Sequence, residues 1–343
     1  MNIPIAATAM ITPVGLRSAQ VCASVRCGVT RFAQLPWKDK KYKPIVMAGI
    51  PDGCLPPLNT ITEVIPRKNS VLRMLRIFGA LRNELALIHP EQKIPLVIGL
   101  AASARVTEEN QDVFLKHMAA MAGIDMDPRY SSLIAKGRAS GILAVMEAMR
   151  LLESGRARAV LAGGCDTYKD IELLGALDSE ARLKSKANRD GFIPGEGAGL
   201  LLLSDDSKSS LHITAAAAGF EPGHIYSPEP YLGQGLFETF KTLFEKARWD
   251  KKVETVYSSM NGESYWVKES GVAGIRLANH FSQDHRCEHP ADCYGDLGAA
   301  AGPVMAGLAA SGLHNGHIKG PALVYASSDH GERAALIIEK IKA

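Results

Sequence analysis

Apolar residues occur along the chain in short continuous runs and in helical spacing, and the two patterns alternate. Runs at residues 3–11, 96–100 and 159–162 end in small or turn-forming residues, which predicts buried β-strands. Over residues 139–153, apolar side chains recur every three or four positions, which predicts a helix with one apolar face. A strand, a helix and a second strand in this order indicate a parallel α/β layer.

The second part of the chain repeats this order. Residues 204–210 contain no apolar residue and indicate the join between two halves. Beyond the join, strands are predicted at residues 212–218, 253–257, 323–326 and 334–338, and helices at residues 236–247 and 298–310. The pattern therefore predicts a duplicated α/β unit.

Composition and charge narrow the class of protein. Of the 343 residues, 46% are hydrophobic, which is enough for a large core. The net charge of +3 is too small to indicate a nucleic-acid-binding surface. No apolar stretch approaches the roughly 20 residues of a spanning helix, so we expect no membrane partner and a cytoplasmic location. The six cysteines form no CxxC pair and no disulfide framework.

Short motifs follow one another in an order typical of a known family. Residues 6–15 read as a strand ending in a Thr-Pro-Val-Gly turn, and Gly-Arg-Ala-Ser-Gly at residues 137–141 opens the predicted helix. The most specific string is Arg-Asp-Gly-Phe-Ile-Pro-Gly-Glu-Gly-Ala-Gly at residues 189–199. Residues 297–300 and 331–336 complete the order. Over nearly its whole length the chain resembles the β-ketoacyl synthases, or ketosynthases, of the thiolase superfamily.

The resemblance implies a fold and an assembly. The expected fold is the α/β thiolase fold, in which duplicated βαβαβαββ halves form a layered α-β-α-β-α body. We place the two halves at residues 1–205 and 206–343. The resemblance also implies a homodimer or a heterodimer with a protein partner.

The resemblance further implies three catalytic positions, and this chain has different residues at each. Active ketosynthases carry a cysteine at the N-terminus of the buried helix, where helix amides favour the thiolate, but here the residue is Arg138. A guanidinium group has no lone pair with which to attack a thioester. Two histidines normally complete the site. Asn261 lies at or near the first position, and Gly295 or Asp296 lies at the second.

The sequence allows three alternative roles for Arg138. In the first, it forms an ion pair with an internal acid such as Asp296 or Glu263. In the second, it binds a carboxylate, sulfate or phosphate together with helix amides, and in the third it faces solvent. Ser140 lacks a histidine nearby in the motif order and is a weak candidate for a replacement nucleophile. The candidate ligand-binding residues are Arg138, Ser140, Asn261, Glu263 and Asp296.

Two further motifs suggest a metal or a cofactor, but neither fits its context. Residues 285–293 contain two histidines and two cysteines. In a strand, His285 and His289 would stand about 13 Å apart, too far to share a zinc ion at bonds of about 2 Å. The alternate glycines at residues 195–199 precede an apolar run instead of opening a helix, so a dinucleotide motif is rejected. We predict neither a metal nor a cofactor.

The preferred interpretation is a non-catalytic ketosynthase-like protein that acts as an interaction partner or adaptor. It would be an accessory subunit of an acyl-chain or polyketide system, or an adaptor for secretion effectors such as those of type VI secretion. One alternative is an acyltransferase or β-ketoacyl-ACP synthase with an altered active site. The other is a module that binds an anionic, acyl or CoA-like ligand at Arg138.

Overall fold

The computed structural model describes residues 2–58, 69–87, 93–102, 110–248 and 250–341. The strands are β1 (Ile3–Ile11), β2 (Ala33–Lys38), β3 (Pro44–Met47), β4 (Leu96–Leu100), β5 (Ser132–Ala135), β6 (Ala159–Thr167), β7 (Glu196–Ser204), β8 (Leu211–Phe220), β9 (Val253–Ser258), β10 (Phe281–Glu288), β11 (Ala322–Ser327) and β12 (Glu332–Lys340). The helices are α1 (Ser18–Arg26), α2 (Asn69–Gly79), α3 (Arg82–Leu85), α4 (Gln111–Ala122), α5 (Ser140–Glu153), α6 (Ile171–Ser179), α7 (Gln234–Ala247), α8 (Ser264–Arg276), α9 (Ala291–Tyr294) and α10 (Ala301–His314). No helix among the described residues is long and apolar enough to cross a membrane.

Ten strands of the described chain form one sheet. The order of its strands shows the same five-stranded arrangement twice. The order is β10-β9-β11-β12-β8-β1-β7-β6-β4-β5, while β2 and β3 pair separately. Reading each half from its outer edge, β10-β9-β11-β12-β8 has the same connectivity as β5-β4-β6-β7-β1. The halves meet where Ile3 of β1 pairs with Ile213 of β8. The division at residues 205 and 206 stays a prediction, and it falls between the end of β7 and the start of β8.

Side chains pack in the five layers that the resemblance implied. Helices α5 and α10 form the central layer, where Ile142 and Val304 share one core with Leu201 and Val324 from the two sets of strands. On the outer side of the first set, α2 and α4 cover the strands. On the outer side of the second set, α7 and part of α8 do the same. The thiolase-type α-β-α-β-α arrangement is therefore confirmed.

The central layer requires small residues because two helices and two sets of strands meet there. Nearly all of α10 is buried, and most of its residues are alanine, glycine or other apolar types. A Cβ atom at Gly141 would stand 2.4 Å from the carbonyl oxygen of Ala299 and 2.4 Å from Cδ of Pro303. Glycine at this position lets the start of α5 reach the turn before α10, and the candidate site lies at this junction.

Candidate functional site

Arg138 lies immediately before the buried helix α5, in the short 3-10 turn Gly137–Ala139. Gly137 has a φ of +75°, in the left-handed region that favours glycine, and it turns the chain from β5 into the helix. The side chain of Arg138 is only 3% exposed. A positive charge at a helix N-terminus is unfavourable by roughly 0.3–1 kcal/mol, so a buried arginine here requires anionic neighbours.

Three carboxyl groups provide those neighbours. Nε of Arg138 donates a hydrogen bond to Oδ2 of Asp296 at 2.6 Å, and Nη1 donates to Oδ1 of Asp329 at 2.6 Å. Nη2 lies 4.0 Å from Oε2 of Glu263. The guanidinium carbon lies 4.9 Å from the ring centre of Trp266, a cation–π distance. Of the three roles considered for Arg138, the structure shows the internal ion pair.

A second buried arginine completes the group. Arg182 donates from Nε and Nη2 to the two carboxylate oxygens of Glu263 at 2.7 and 2.8 Å, a bidentate pair. Its Nη1 donates to Oδ2 of Asp329 at 2.9 Å. Asp329 therefore bridges the two arginines. We call the set Arg138, Arg182, Glu263, Asp296 and Asp329 the arginine–carboxylate cluster.

The structure brings Asn261 into contact with this cluster and distinguishes Asp296 from Gly295. Nδ2 of Asn261 donates to Oδ2 of Asp296 at 2.8 Å and to Oε2 of Glu263 at 3.2 Å. Gly295 has a φ of +72° and turns the chain at the end of α9. The next residue, Asp296, is 3% exposed and carries its carboxylate into the cluster. Of the two positions proposed for the second histidine, Asp296 therefore has its side chain in the site.

Ser140 is buried beside the cluster but is not part of it. Its hydroxyl donates to the carbonyl oxygen of Leu100 at 2.8 Å and accepts from the backbone N–H of Lys136 at 2.7 Å. The hydroxyl proton is held by a carbonyl group, and the side chain connects β4 to the start of α5. Both hydrogen bonds of this hydroxyl are made within the chain, and ligand binding by Ser140 stays a prediction.

Ion pairing determines the protonation of the cluster. Burial acts to lower the pKa of Arg138, but the charges of Asp296 and Asp329 raise it well above its ordinary value. Burial acts to raise the pKa of Asp329, but Arg138 and Arg182 hold it below its ordinary range. Both effects favour the charged forms, so Arg138 and Asp329 stay ionised at neutral pH.

Asp166, near the end of β6, lies next to the cluster in a different environment. Its Oδ2 accepts from the N–H of Ala299 at 2.9 Å, and its Oδ1 accepts from the N–H of Thr167 at 2.8 Å. Burial nevertheless raises the pKa of Asp166 to about 7, and the charge of Asp296 adds to the rise. Position 298 requires glycine, because a Cβ atom at Gly298 would stand 2.0 Å from Oδ2 of Asp166.

A cavity of about 130 Å³ adjoins the cluster. Its walls include Arg138, Asp166, Tyr168, Tyr226, Asp329 and His330. This volume has room for a few water molecules, each of which occupies about 30 Å³ in the liquid. Nη2 of Arg138 has no hydrogen-bond partner among the described residues. The site is therefore mostly filled by its own side chains, with a small polar space beside them.

Sequence reasoning did not identify Arg182, Asp329 or Asp166. Asp329 lies in a polar loop between the apolar strands β11 and β12, and Asp166 is an acid near the end of a buried strand. Both were detectable as polar residues that interrupt an apolar pattern. Arg182 stands in a segment with no such pattern, and only the folded chain brings it to Glu263.

The histidines and cysteines of residues 285–293 do not converge. His285 lies in strand β10, where its Nδ1 contacts the carbonyl oxygen of Ser282 at 2.9 Å, whereas Cys293 is buried in α9. Within the part of the chain that the structure describes, no three histidine, cysteine, aspartate or glutamate side chains are grouped to hold a metal ion.

One segment of the chain matches a known sequence family. Residues 134–209, which contain Arg138 and Asp166, match the family described as Beta-ketoacyl synthase, N-terminal domain. The polyketide synthase PksN of Bacillus subtilis (strain 168) is 29% identical over 132 residues. This match covers 34% of the chain but only 2% of that much longer relative.

Solved ketosynthase structures are similar over the whole chain. The ketosynthase ApeO, in complex with its chain length factor ApeC from Xenorhabdus doucetiae, has a TM-score of 0.77 at 17% identity, covering 99% of this chain and 98% of that one. The ketosynthase from module 6 of the bacillaene synthase of Bacillus subtilis 168 has a TM-score of 0.79 at 15% identity, covering 100% and 73%. The ishigamide ketosynthase/chain length factor has a TM-score of 0.74 at 16% identity, covering 99% of both chains. These likenesses show the fold.

Proposed function

Because this chain is a ketosynthase-like protein with the thiolase fold, we propose that it is a non-catalytic member, with halves at residues 1–205 and 206–343, that works by binding a second protein. The partner we propose is another ketosynthase-like chain of an acyl-chain or polyketide system. The observation that carries the proposal is the arginine–carboxylate cluster at the start of α5. The paired Arg138 stands where the family resemblance places the nucleophilic cysteine.

The chemistry of the cluster argues against covalent catalysis. Acyl transfer through an enzyme intermediate needs a nucleophile with an available lone pair and a base to activate it. Arg138 has no such lone pair, and its pKa is raised further by its partners. The hydroxyl of Ser140 donates its proton to a backbone carbonyl. Neither side chain is prepared to form an acyl-enzyme.

The energetics of the cluster argue for a closed site. Removing one partner of a buried ion pair costs about 3–5 kcal/mol, because the other charge remains buried and unpaired. Asp296 and Glu263 are each bound to an arginine, and Asp329 is bound to two. A substrate that entered this space would have to separate several such pairs. The pairs therefore stabilise a filled pocket.

The edge of the first half supports binding to a second chain. Strand β5 ends the sheet, so one side of its backbone has no neighbouring strand in the described chain. Leu133 and Ile134 on β5 are only partly buried, although they pack on the core. An edge strand with apolar side chains is a common surface for pairing with another chain. Two of the similar structures named above contain a ketosynthase together with a chain length factor.

Intact mass spectrometry after incubation with acyl-CoA and acylated carrier protein tests the loss of catalysis. We expect no covalent adduct, with an active ketosynthase as the positive control. A stable acyl adduct would contradict the proposal and support the alternative of an altered acyltransferase or β-ketoacyl-ACP synthase. The variant Ser140→Ala would then show whether Ser140 carries the group.

Purification of the tagged chain from its native host, followed by mass spectrometry, tests the partner. We expect a ketosynthase-like chain, and expect it to be lost with Ile134→Lys. Recovery of a secretion effector in its place would favour the role of an effector adaptor.

A second candidate, a module that binds an anionic or acyl ligand at Arg138, is favoured by the adjoining cavity and by Nη2 of Arg138, which makes no hydrogen bond within the described residues. The negative charges of the surrounding carboxyl groups would repel an anionic ligand and weaken its binding. A thermal shift with CoA or a dicarboxylate that disappears in Arg138→Ala would support this candidate.

We also propose a cytoplasmic location. All six cysteines lie in the described ranges and each is a free thiol. Free thiols that are not joined in disulfides are typical of proteins in a reducing compartment.

A further inference from the structure

A second cavity, of about 300 Å³, lies on the outer face of the second half, beneath α8. It shares no lining residue with the cavity at the arginine–carboxylate cluster. Its floor is formed by Phe240, Val256, Phe281 and Tyr325, which come from α7, β9, β10 and β11. The ring centres of Phe240 and Tyr325 are 5.2 Å apart in an edge-to-face arrangement. The floor is therefore continuous with the core beneath it.

Two local features create this space. The pairing of β10 with β9 is irregular between Phe281 and Arg286, which opens the sheet edge. Above it, α8 and the turn that follows present the small residues Ser270, Gly274 and Ala278. A Cβ atom at Gly274 would meet no atom within 4 Å, so the space reaches the helix backbone. We call this cavity the α8–β10 pocket.

The rim of the α8–β10 pocket is polar but uncharged. It includes Ser282, Gln283, His285 and Cys287, and the charged neighbours Asp284 and Arg286 do not line it. From Gln283 onward, alternate residues of β10 face the pocket, so Asp284 and Arg286 face the opposite side. Nδ1 of His285 lies 2.9 Å from the carbonyl oxygen of Ser282. A carbonyl only accepts, so Nδ1 carries the proton, and in the neutral ring Nε2 is left as an acceptor.

We propose that the α8–β10 pocket binds a neutral aromatic molecule that carries a hydroxyl or carbonyl group. The aromatic floor provides edge and face contacts for a ring. The rim provides hydrogen bonds for one polar group but no counter-charge, so an ionic ligand would lose hydration without compensation. A volume of about 300 Å³ is at the small end of ligand pockets and suits a molecule of one or two rings.

Isothermal titration calorimetry of 2-naphthol binding to the whole chain tests this proposal. In Gly274→Leu the new side chain fills the pocket, and we expect the affinity for 2-naphthol to fall at least about tenfold. Gly271→Leu is the matched control, because Gly271 is also on α8 with nothing within 4 Å of its Cβ, and it does not line the pocket. Replacing a helical glycine favours the helix by up to about 1 kcal/mol, so both variants should fold.

Cysteine alkylation gives a second, independent readout. With 2-naphthol at about ten times its dissociation constant, we expect alkylation of Cys287 to slow about tenfold, and alkylation of the exposed Cys27 and Cys54 to stay unchanged. Naphthalene-2-sulfonate, of the same shape but charged, should not protect Cys287. The proposal is overturned if 2-naphthol does not bind, if it binds Gly274→Leu as tightly as Gly271→Leu, or if the sulfonate protects equally.

Discussion

At the scale of single residues, Arg138 and its neighbours depend on one another. The guanidinium group is buried at a helix N-terminus, where neither solvent nor the helix dipole stabilises a positive charge. Asp296 and Asp329 provide the compensation, and Arg182 in turn neutralises Asp329 and Glu263. Each charge therefore holds the others in place, and the loss of one should have a large effect.

Arg138→Ala should lower the free energy of unfolding by about 3–5 kcal/mol, because it leaves the buried carboxylate of Asp296 and the partly buried carboxylate of Asp329 with one cation fewer. Urea denaturation measures the change. Arg158→Ala is the control, since the side chain of Arg158 is 78% exposed and its loss should change stability by less than about 0.5 kcal/mol. Equal stability of the two variants would show that the ion pairs of the arginine–carboxylate cluster do not stabilise the fold.

Asp166 should make stability depend on pH. Its pKa is about 7 in the folded chain and near 3.8 in the unfolded chain, so between these values the folded state holds a proton that the unfolded state has released. The free energy of unfolding therefore decreases as pH rises through this window, by up to about 1.4 kcal/mol per pH unit, and levels off above pH 7.

Urea denaturation at several pH values between the two pKa values checks this slope. Asp166→Asn should flatten it, whereas Asp284→Asn, at an exposed position, should not. Asp329 does not interfere with this measurement. Because its pKa is lowered in the folded chain, it stabilises the fold fully at any pH above the ordinary pKa of an aspartate. This stabilisation is lost only when the pH falls below that ordinary pKa. An unchanged slope in Asp166→Asn would assign the pH dependence to another group.

At the scale of elements, the close contact between α5 and the start of α10 constrains the backbone near the site. Gly141→Ala should destabilise the chain by about 1–3 kcal/mol, because the added Cβ would stand 2.4 Å from Ala299 and Pro303. Gly175→Ala in α6, where a Cβ meets nothing within 4 Å, should stabilise it by up to about 1 kcal/mol. Thermal unfolding of both variants measures the difference, and the same sign of change in both would contradict the packing argument.

The edge strand β5 is the element on which the proposed assembly depends. Ile134→Lys should weaken self-association or partner binding at least about tenfold, because a charge on an edge strand opposes pairing. Asp284→Lys places the same residue on β10, the opposite edge of the sheet, and should have no effect. Light scattering after size-exclusion chromatography measures the mass of each variant. If only Asp284→Lys dissociates the assembly, the interface lies at the other edge.

At the scale of the whole molecule, the two halves share one core. The central layer joins α5 of the first half to α10 of the second, and the strands of both halves pack on them. Residues 1–205 expressed alone should therefore fail to fold, since α5 would expose its apolar face. The dispersion of amide signals in an NMR spectrum measures this, and addition of residues 206–343 should restore it. A well-dispersed spectrum for residues 1–205 alone would show that the halves are independent domains.

The sequence by itself determined the class of fold and the place of the main site residues. Apolar runs and helical spacing located β1, β4, β6 and α5 because burial imposes a period on each element. The helix start at Arg138 followed from a local motif of five residues. Asn261, Glu263 and Asp296 were identified through the order of family motifs. The periods and motifs are local, and the order of the motifs is a property of the linear sequence, so none of these signals requires the folded structure.

Only the tertiary structure decided what Arg138 contacts and which other residues surround it. Arg182 and Asp329 lie 44 and 191 residues from Arg138 along the chain, and no periodic pattern connects such distant positions. The carboxylate of Asp296 reaches the cluster because the chain turns at Gly295, and the sequence does not show this turn. The α8–β10 pocket arises from an irregular strand pairing and a small-residue helix surface that face each other only after folding. Contacts between distant segments depend on packing in three dimensions, which a one-dimensional pattern does not encode.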